Sequence, residues 1–228
     1  MHIRKLVFFA IMTLVLLPAR AALAADNLDS VLRKLDAAAA NFRTTAVDFE
    51  FDTVSTVPIY DKDVQKGTAY YKREGHSFQM AAHITEVNGK QVPKDLAYSG
   101  GKVVLFEPLL NQARVMDAAK YESYLLLGFG ASGKELEDKW HIKYLGQETV
   151  DGMKTDKLEL VAIDPNVLRL FPKVTIWLDT DHAVSLKQIF DEGQGVTRTC
   201  IYSHIKTNED LPKDAFALKT NRETHFVK

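Results

Sequence analysis

The stretch TTAVDFEFD, residues 44–52, sets the fold class. Val47, Phe49 and Phe51 alternate with Asp48, Glu50 and Asp52. That period of two belongs to a strand with one face on a core and the other in water. Upstream the period is helical. Leu28, Val31, Leu32, Leu35, Ala38, Ala39 and Phe42 recur at helix spacing over residues 26–42, and Asp26 or Asn27 can cap the start. One face of that helix is apolar and must cover something. Downstream the strands continue. Gly67–Arg73 is the second, and Phe78, Met80, Ala82 and Ile84 alternate as a third. Asn88-Gly89 and Gly100-Gly101 are hairpin turn signals, and Val103–Phe106 and Ala113–Met116 read as two further short strands.

Residues 117–127 (DAAKYESYLLL) break the pattern with helix formers and an apolar end, followed by the glycine-rich Gly128–Gly133. Strands resume at Trp140, turn at Asp151-Gly152 and run through Lys157–Val161. Residues 164–172 are an apolar loop. Val174–Leu178, Val184–Phe190 and Val196–Ile205 follow, and the tail returns through Phe216 and Leu218. The count is ten or eleven strands, mostly sequential and antiparallel. Many short strands joined by turns favour a meander, a sandwich or a barrel. No repeat, low-complexity run or linker divides the chain, so one domain is expected over 25–228.

The first residues carry a different signal. Arg4 and Lys5 precede the apolar run Leu6–Leu17, and Ala22-Leu23-Ala24 offers small residues where a signal peptidase reads. Residues 1–24 are therefore expected to be a signal peptide cleaved after Ala24, with the product free in the periplasm. Three of the 29 Lys and Arg residues (Arg4, Lys5 and Arg20) lie in that segment and none of the 30 acidic ones does, which leaves a net charge of −4. Such a balance gives no reason to expect nucleic acid as a partner. Cys200 is the only cysteine, so no internal disulfide can form. Its alternation with Arg198 and Tyr202 places it on a buried strand face.

The order of elements and several short motifs resemble the LolA-like periplasmic lipoprotein-carrier family over essentially the whole chain after the signal segment. They are the helix and aromatic strand LRKLDAAAANFRTTAVDFEF, Gly67-Thr68-Ala69-Tyr70-Tyr71-Lys72-Arg73, Gly101-Lys102 followed by Glu107-Pro108 and Gln112, and Val174–Asp179 with Asp191-Glu192-Gly193 and Leu211-Pro212. The resemblance implies a mainly β (α+β) fold, an incomplete antiparallel β-barrel whose concave apolar face is covered by helices. It implies a non-enzymatic carrier without cofactor or metal, expected to be a monomer. The carrier would bind the acyl chains of lipoproteins, or other lipids, and meet an inner-membrane release complex and an outer-membrane receptor. Arg73 is where that family has its lid latch. Glu74-Gly75 stand where it typically has proline after the arginine.

On that frame the inward candidates are Phe49, Phe51, Tyr70, Phe78 and Met80 on the early strands, and Leu105, Leu160, Ile176 and Leu178 later. Leu28, Leu32 and Leu35 on the leading helix and Tyr124, Leu125, Leu126 and Leu127 in the interrupting one are the lid, with Gly128, Gly130 and Gly133 letting it move. An open half-barrel leaves apolar surface that a ligand or lid must cover. Two other readings are weaker. Gly128-Phe129-Gly130-Ala131-Ser132-Gly133-Lys134 matches a phosphate loop in letters, but Glu135 follows the lysine where Ser or Thr is needed, and no βαβ pattern surrounds it. The seven histidines lie apart, with no H-E-x-x-H and no G-x-S-x-G. A lipid sensor or interaction protein on the same fold is the alternative to a carrier.

Overall fold

A computed structural model describes residues 19–75 and 77–227, with side chains from Asn27 onward. Residues 1–18, most of the expected signal peptide, lie outside the described residues. The leading helix α1 spans Ala19–Asn41, so its first turns begin before Asp26 and include the last residues of that segment.

Twelve strands follow rather than ten or eleven. They are β1 Thr44–Ser55, β2 Asp61–Glu74, β3 Ser77–Val87, β4 Lys90–Ser99, β5 Lys102–Glu107 and β6 Gln112–Asp117, then β7 Trp140–Val150, β8 Met153–Ala162, β9 Lys173–Asp179, β10 Val184–Gly193, β11 Val196–Thr207 and β12 His225–Val227. They form one sheet in the order β12-β6-β5-β4-β3-β2-β1-β11-β10-β9-β8-β7. All pairings are antiparallel except β12, which lies parallel to β6. The end strands β12 and β7 do not pair, so the sheet is an open, incomplete barrel. Three short helices interrupt it: α2 Glu122–Leu125, α3 Gly133–Glu137 and α4 Pro165–Leu170.

The hairpin signals act where the sequence places them. Asn88-Gly89, Gly100-Gly101 and Asp151-Gly152 join consecutive strands, with positive φ that the asparagine, aspartate and glycines accept. β1 lies in the middle of the sheet. It pairs locally with β2 and distantly with β11, where Thr45 faces Thr207. After β11 the chain crosses the convex side of β1–β5 to reach β6. His83 Nδ1 lies 2.7 Å from Asp95 Oδ1, and its Nε2 lies 2.9 Å from the Ala215 carbonyl of this strap.

The concave side holds two clusters. In the first, α1 lays Val31, Leu32 and Leu35 against Leu158, Leu160, Val174, Ile176 and Leu178 of β8 and β9. In the second, Phe42, Val47, Tyr71, Met80 and Tyr98 pack with Leu126 and Phe129 of the segment before α3.

Candidate functional site

The concave face divides at β10–β11. Under α1, Leu158, Leu160 and Ile176 have no exposed surface and Leu178 is 1% exposed. Burial of such side chains contributes about 1.5–3 kcal/mol each. Three of the expected cavity residues, Leu160, Ile176 and Leu178, are therefore filled core beneath Leu32 and Leu35, with Leu28 at the margin. A ligand reaches them only if α1 leaves.

Over β1–β5 the cover comes from Leu125 of the single-turn α2 and the segment through Phe129 rather than from a long helix. Phe49, Phe51, Phe78, Ala82 and Leu96 are only partly buried against the second cluster, and Leu105, opposite Leu96, is half-buried. The register sets Val47, Ala69, Ala82, Leu96 and Leu105 in one row across five strands, so the centre of the row is floored by two alanines. Gly67 beside Phe49 sits at a bulge where a Cβ would collide with the His83 carbonyl. Large side chains flank small ones, and the row forms a shallow apolar trough whose flanking side chains are only partly buried. Met80 lies deeper at its end, buried beside Tyr71 and Tyr98.

Tyr70 is corrected. It faces the convex side, where its ring meets His83 at 5.7 Å, and its neighbour Tyr71 is the inward aromatic. Successive strand residues point to opposite faces, and Ala69, Tyr71 and Arg73 share the concave one.

The lid is a tightly docked segment more than a helix, since α2 is a single turn. Tyr124 stacks on Phe171 at 4.5 Å and meets Phe190 edge-on at 5.2 Å. Leu126 and Leu127 are buried, and Leu125 is partly so. Phe129, not anticipated from sequence, is the central plug. It is 1% exposed, stacked on Tyr71 at 3.9 Å and edge-on to Tyr202 at 4.9 Å. Its backbone is clamped, with Ser185 N donating to Gly128 O at 2.7 Å and Gly130 N to Ala183 O at 2.8 Å. Two side chains complete the clamp. Gln188 Nε2 donates to Leu127 O at 2.6 Å, while Tyr202 Oη donates to Gln188 Oε1 at 3.0 Å. Arg73 donates to Gly130 O at 2.7 Å, lies over the Phe78 ring at 4.4 Å and pairs with Glu135 at 3.2 Å.

The glycines serve close approach here. A Cβ on Gly130 would lie 2.5 Å from the Phe42 ring, and one on Gly128 would lie 2.6 Å from Ser185 Cβ, both at positive φ. Ser132 and Glu135 form a capping box at the start of α3, which accounts for the letters that mimic a phosphate loop. Burial pushes the Glu135 carboxyl up, but the Ser132 N–H and the Arg73 guanidinium outweigh it and hold the group below its ordinary value. Glu74, adjacent to Arg73, pairs instead with Lys72 at 2.6 Å. A cavity of about 390 Å³ lies between the arms of the lid, with Phe78, Leu126, Phe129 and Trp140 in its wall and Lys120, Glu122 and Lys139 at its mouth. That is near the low end of the range of about 300–1,000 Å³ usual for small-ligand sites. Cys200 lies in the second cluster, and burial pushes its thiol up to about 12.

No family model matches the sequence, and no curated protein matches it. Solved structures do. MucB superposes with a TM-score of 0.54 at 11% identity over 85% of this chain and 63% of MucB. The chain thus spans less than two thirds of MucB's length. An uncharacterized conserved protein from Thermus thermophilus gives 0.54 at 10% identity, over 89% of this chain and 98% of that one. The fold is the open, incomplete antiparallel barrel that the sequence resemblance implies. A LolA superfamily protein from Nitrosomonas europaea gives a TM-score of 0.44 at 18% identity, over 84% of this chain and 97% of that one. At these identities the likeness is one of fold.

Proposed function

We propose that this LolA-like protein is an exported carrier that binds acyl chains, those of lipoproteins or of free lipids, in the trough over β1–β5, and that it performs no chemistry on them. One observation carries the reading. Phe49, Phe51, Phe78 and Leu96 stay only partly buried on a concave face whose other half is sealed by α1. Acyl chains suit such a surface because their burial is non-directional, about 0.8 kcal/mol per methylene. Ten methylenes would contribute about 8 kcal/mol before the cost of ordering them. Arg73 acts in this reading as a latch, since it holds a lid carbonyl from the trough side.

A fluorescent fatty acid titrated into the purified protein tests it. Phe49→Asp should weaken binding at least about tenfold with the circular dichroism spectrum retained, because a carboxylate in an apolar contact is costly. Unchanged affinity in a folded variant would refute the trough. Mass spectrometry of extracted protein then separates lipoprotein cargo from free lipid. A second reading, binding to a regulatory partner, has one observation in its favour. A MucB structure of similar fold, at TM-score 0.50 and 12% identity, is solved in complex with MucA.

A further inference from the structure

The antiparallel order brings the hairpin connections of the sheet to two rims, and the two differ in chemistry. At one rim lie the turns β2–β3, β4–β5, β7–β8 and β9–β10, built around Gly75, Gly100-Gly101, Asp151-Gly152 and Thr180-Asp181-His182, where Met116 and Met153 on the adjoining strand ends are 38% and 43% exposed. At the other rim lie β1–β2, β3–β4, β5–β6, β8–β9 and β10–β11. Three of these five bear bare apolar tips. Val57, Ile59 and Tyr60 are 61%, 78% and 66% exposed on β1–β2, and Leu109 and Leu110 are 70% and 64% exposed on β5–β6. Leu168 and Leu170 of α4 extend the set along β8–β9. The base of the β1–β2 tip is fixed, with Thr56 N donating to Gly195 O at 2.9 Å.

We infer that this rim touches the surface of an uncharged lipid bilayer. Exposed apolar groups mark interaction surfaces. These stand as separate prongs parted by the polar turns at Asn88-Gly89 and Gln194-Gly195. A fluid acyl–headgroup boundary admits each prong independently, and tyrosine is favoured at that depth. Charge does not drive the contact, because the exposed Lys90 and Arg169 are matched by Asp61, Glu107 and Asp164 on the same connections and the other cations there are paired. Lys62 meets Asp52 at 2.7 Å, Lys173 meets Asp191 at 3.9 Å, and Arg198 pairs with Glu192. The choice of bilayer rests partly on the acyl reading, since Phe49 and Phe51 lie on the strand that leads to the Val57–Tyr60 tip.

Flotation with phosphatidylcholine vesicles tests this. The parent should float with vesicles, to about the same extent at about 0.05 M and about 0.5 M salt, a range over which screening changes severalfold. The pairs Ile59→Ser/Tyr60→Ser and Leu109→Ser/Leu110→Ser should each reduce flotation roughly fivefold or more, as buried apolar area falls. Fatty-acid affinity, measured separately, should stay unchanged in both, so a failed trough and a failed rim give different results. A parent that does not float, or variants that float like it, would overturn the inference. So would a parent dimer in light scattering that the variants lose, which would assign the rim to a second copy of the chain.

Discussion

The two halves of the concave face are built from the same kind of strand and end in opposite states. Over β7–β10, α1 completes the burial that the strands begin, and Leu158, Leu160 and Ile176 are sealed. Over β1–β5 the inward residues are as apolar, yet Phe49, Phe51 and Leu96 remain half-covered. Whether apolar alternation makes core or binding surface is thus set by what lies across it. Here a single helix, α1, makes that division. The segment through Phe129 sits at the boundary and is held by polar contacts that exchange more readily than a packed leucine does.

The contrast is sharpest in stability. Leu160→Ala should cost about 2–5 kcal/mol in urea unfolding, since the site is closed on all sides. Phe49→Ala should cost clearly less, because much of its surface is already wet. Equal losses would remove the distinction between the halves. A smaller effect is expected at the boundary. Gln188→Leu leaves the Leu127 carbonyl and the Tyr202 hydroxyl without partners, at about 1–3 kcal/mol for a buried polar group. Alkylation of Cys200, protonated and covered at neutral pH, should then speed up roughly tenfold or more. An unchanged rate would mean that the segment opens without breaking this clamp.

The smallest effect is expected at Arg73. Arg73→Leu should raise the probe off-rate a few-fold while capture is little altered. Identical off-rates would take Arg73 out of the mechanism. The pair with Glu135 adds a pH dependence of known sign. Its carboxyl is held below the ordinary value, so the tie is complete above the ordinary glutamate range of about 4.3 and is lost as pH falls through the lower native value. Amide exchange at Phe129, corrected for its intrinsic pH dependence, should accordingly show more frequent opening on acidification, and Glu135→Gln should flatten that dependence.

Much of this is legible in residues 44–52 and their surroundings. Period two, the Asn-Gly and Gly-Gly turns and the helical spacing of Leu28, Val31, Leu32 and Leu35 specify strands, hairpins and a covering helix through local chemistry. What is not legible depends on register. Tyr70 and Tyr71 are equally aromatic, and only their phase relative to Arg73 tells which faces inward. An arginine that reaches the lid from the concave side places Tyr71, two residues earlier, beside it. β4 gives no clear strand signal because Lys90, Pro93, Lys94 and Asp95 leave it little alternation. Phe129 reads as part of a flexible run because glycine signals both freedom and close contact, and only the Phe42 ring and Ser185 decide which. Gln188 leaves a usable trace, a lone amide on an otherwise apolar strand face.

The central position of β1 bears on how the molecule is made. Its partner β11 emerges from the ribosome about 150 residues after it, whereas every other antiparallel neighbour in the sheet is consecutive in the chain. Two meanders can thus mature separately, and a single late seam joins them. Nascent chains stopped before Val196 should already protect the β2–β5 amides from exchange while leaving one flank of β1 open to chaperones, strand by strand.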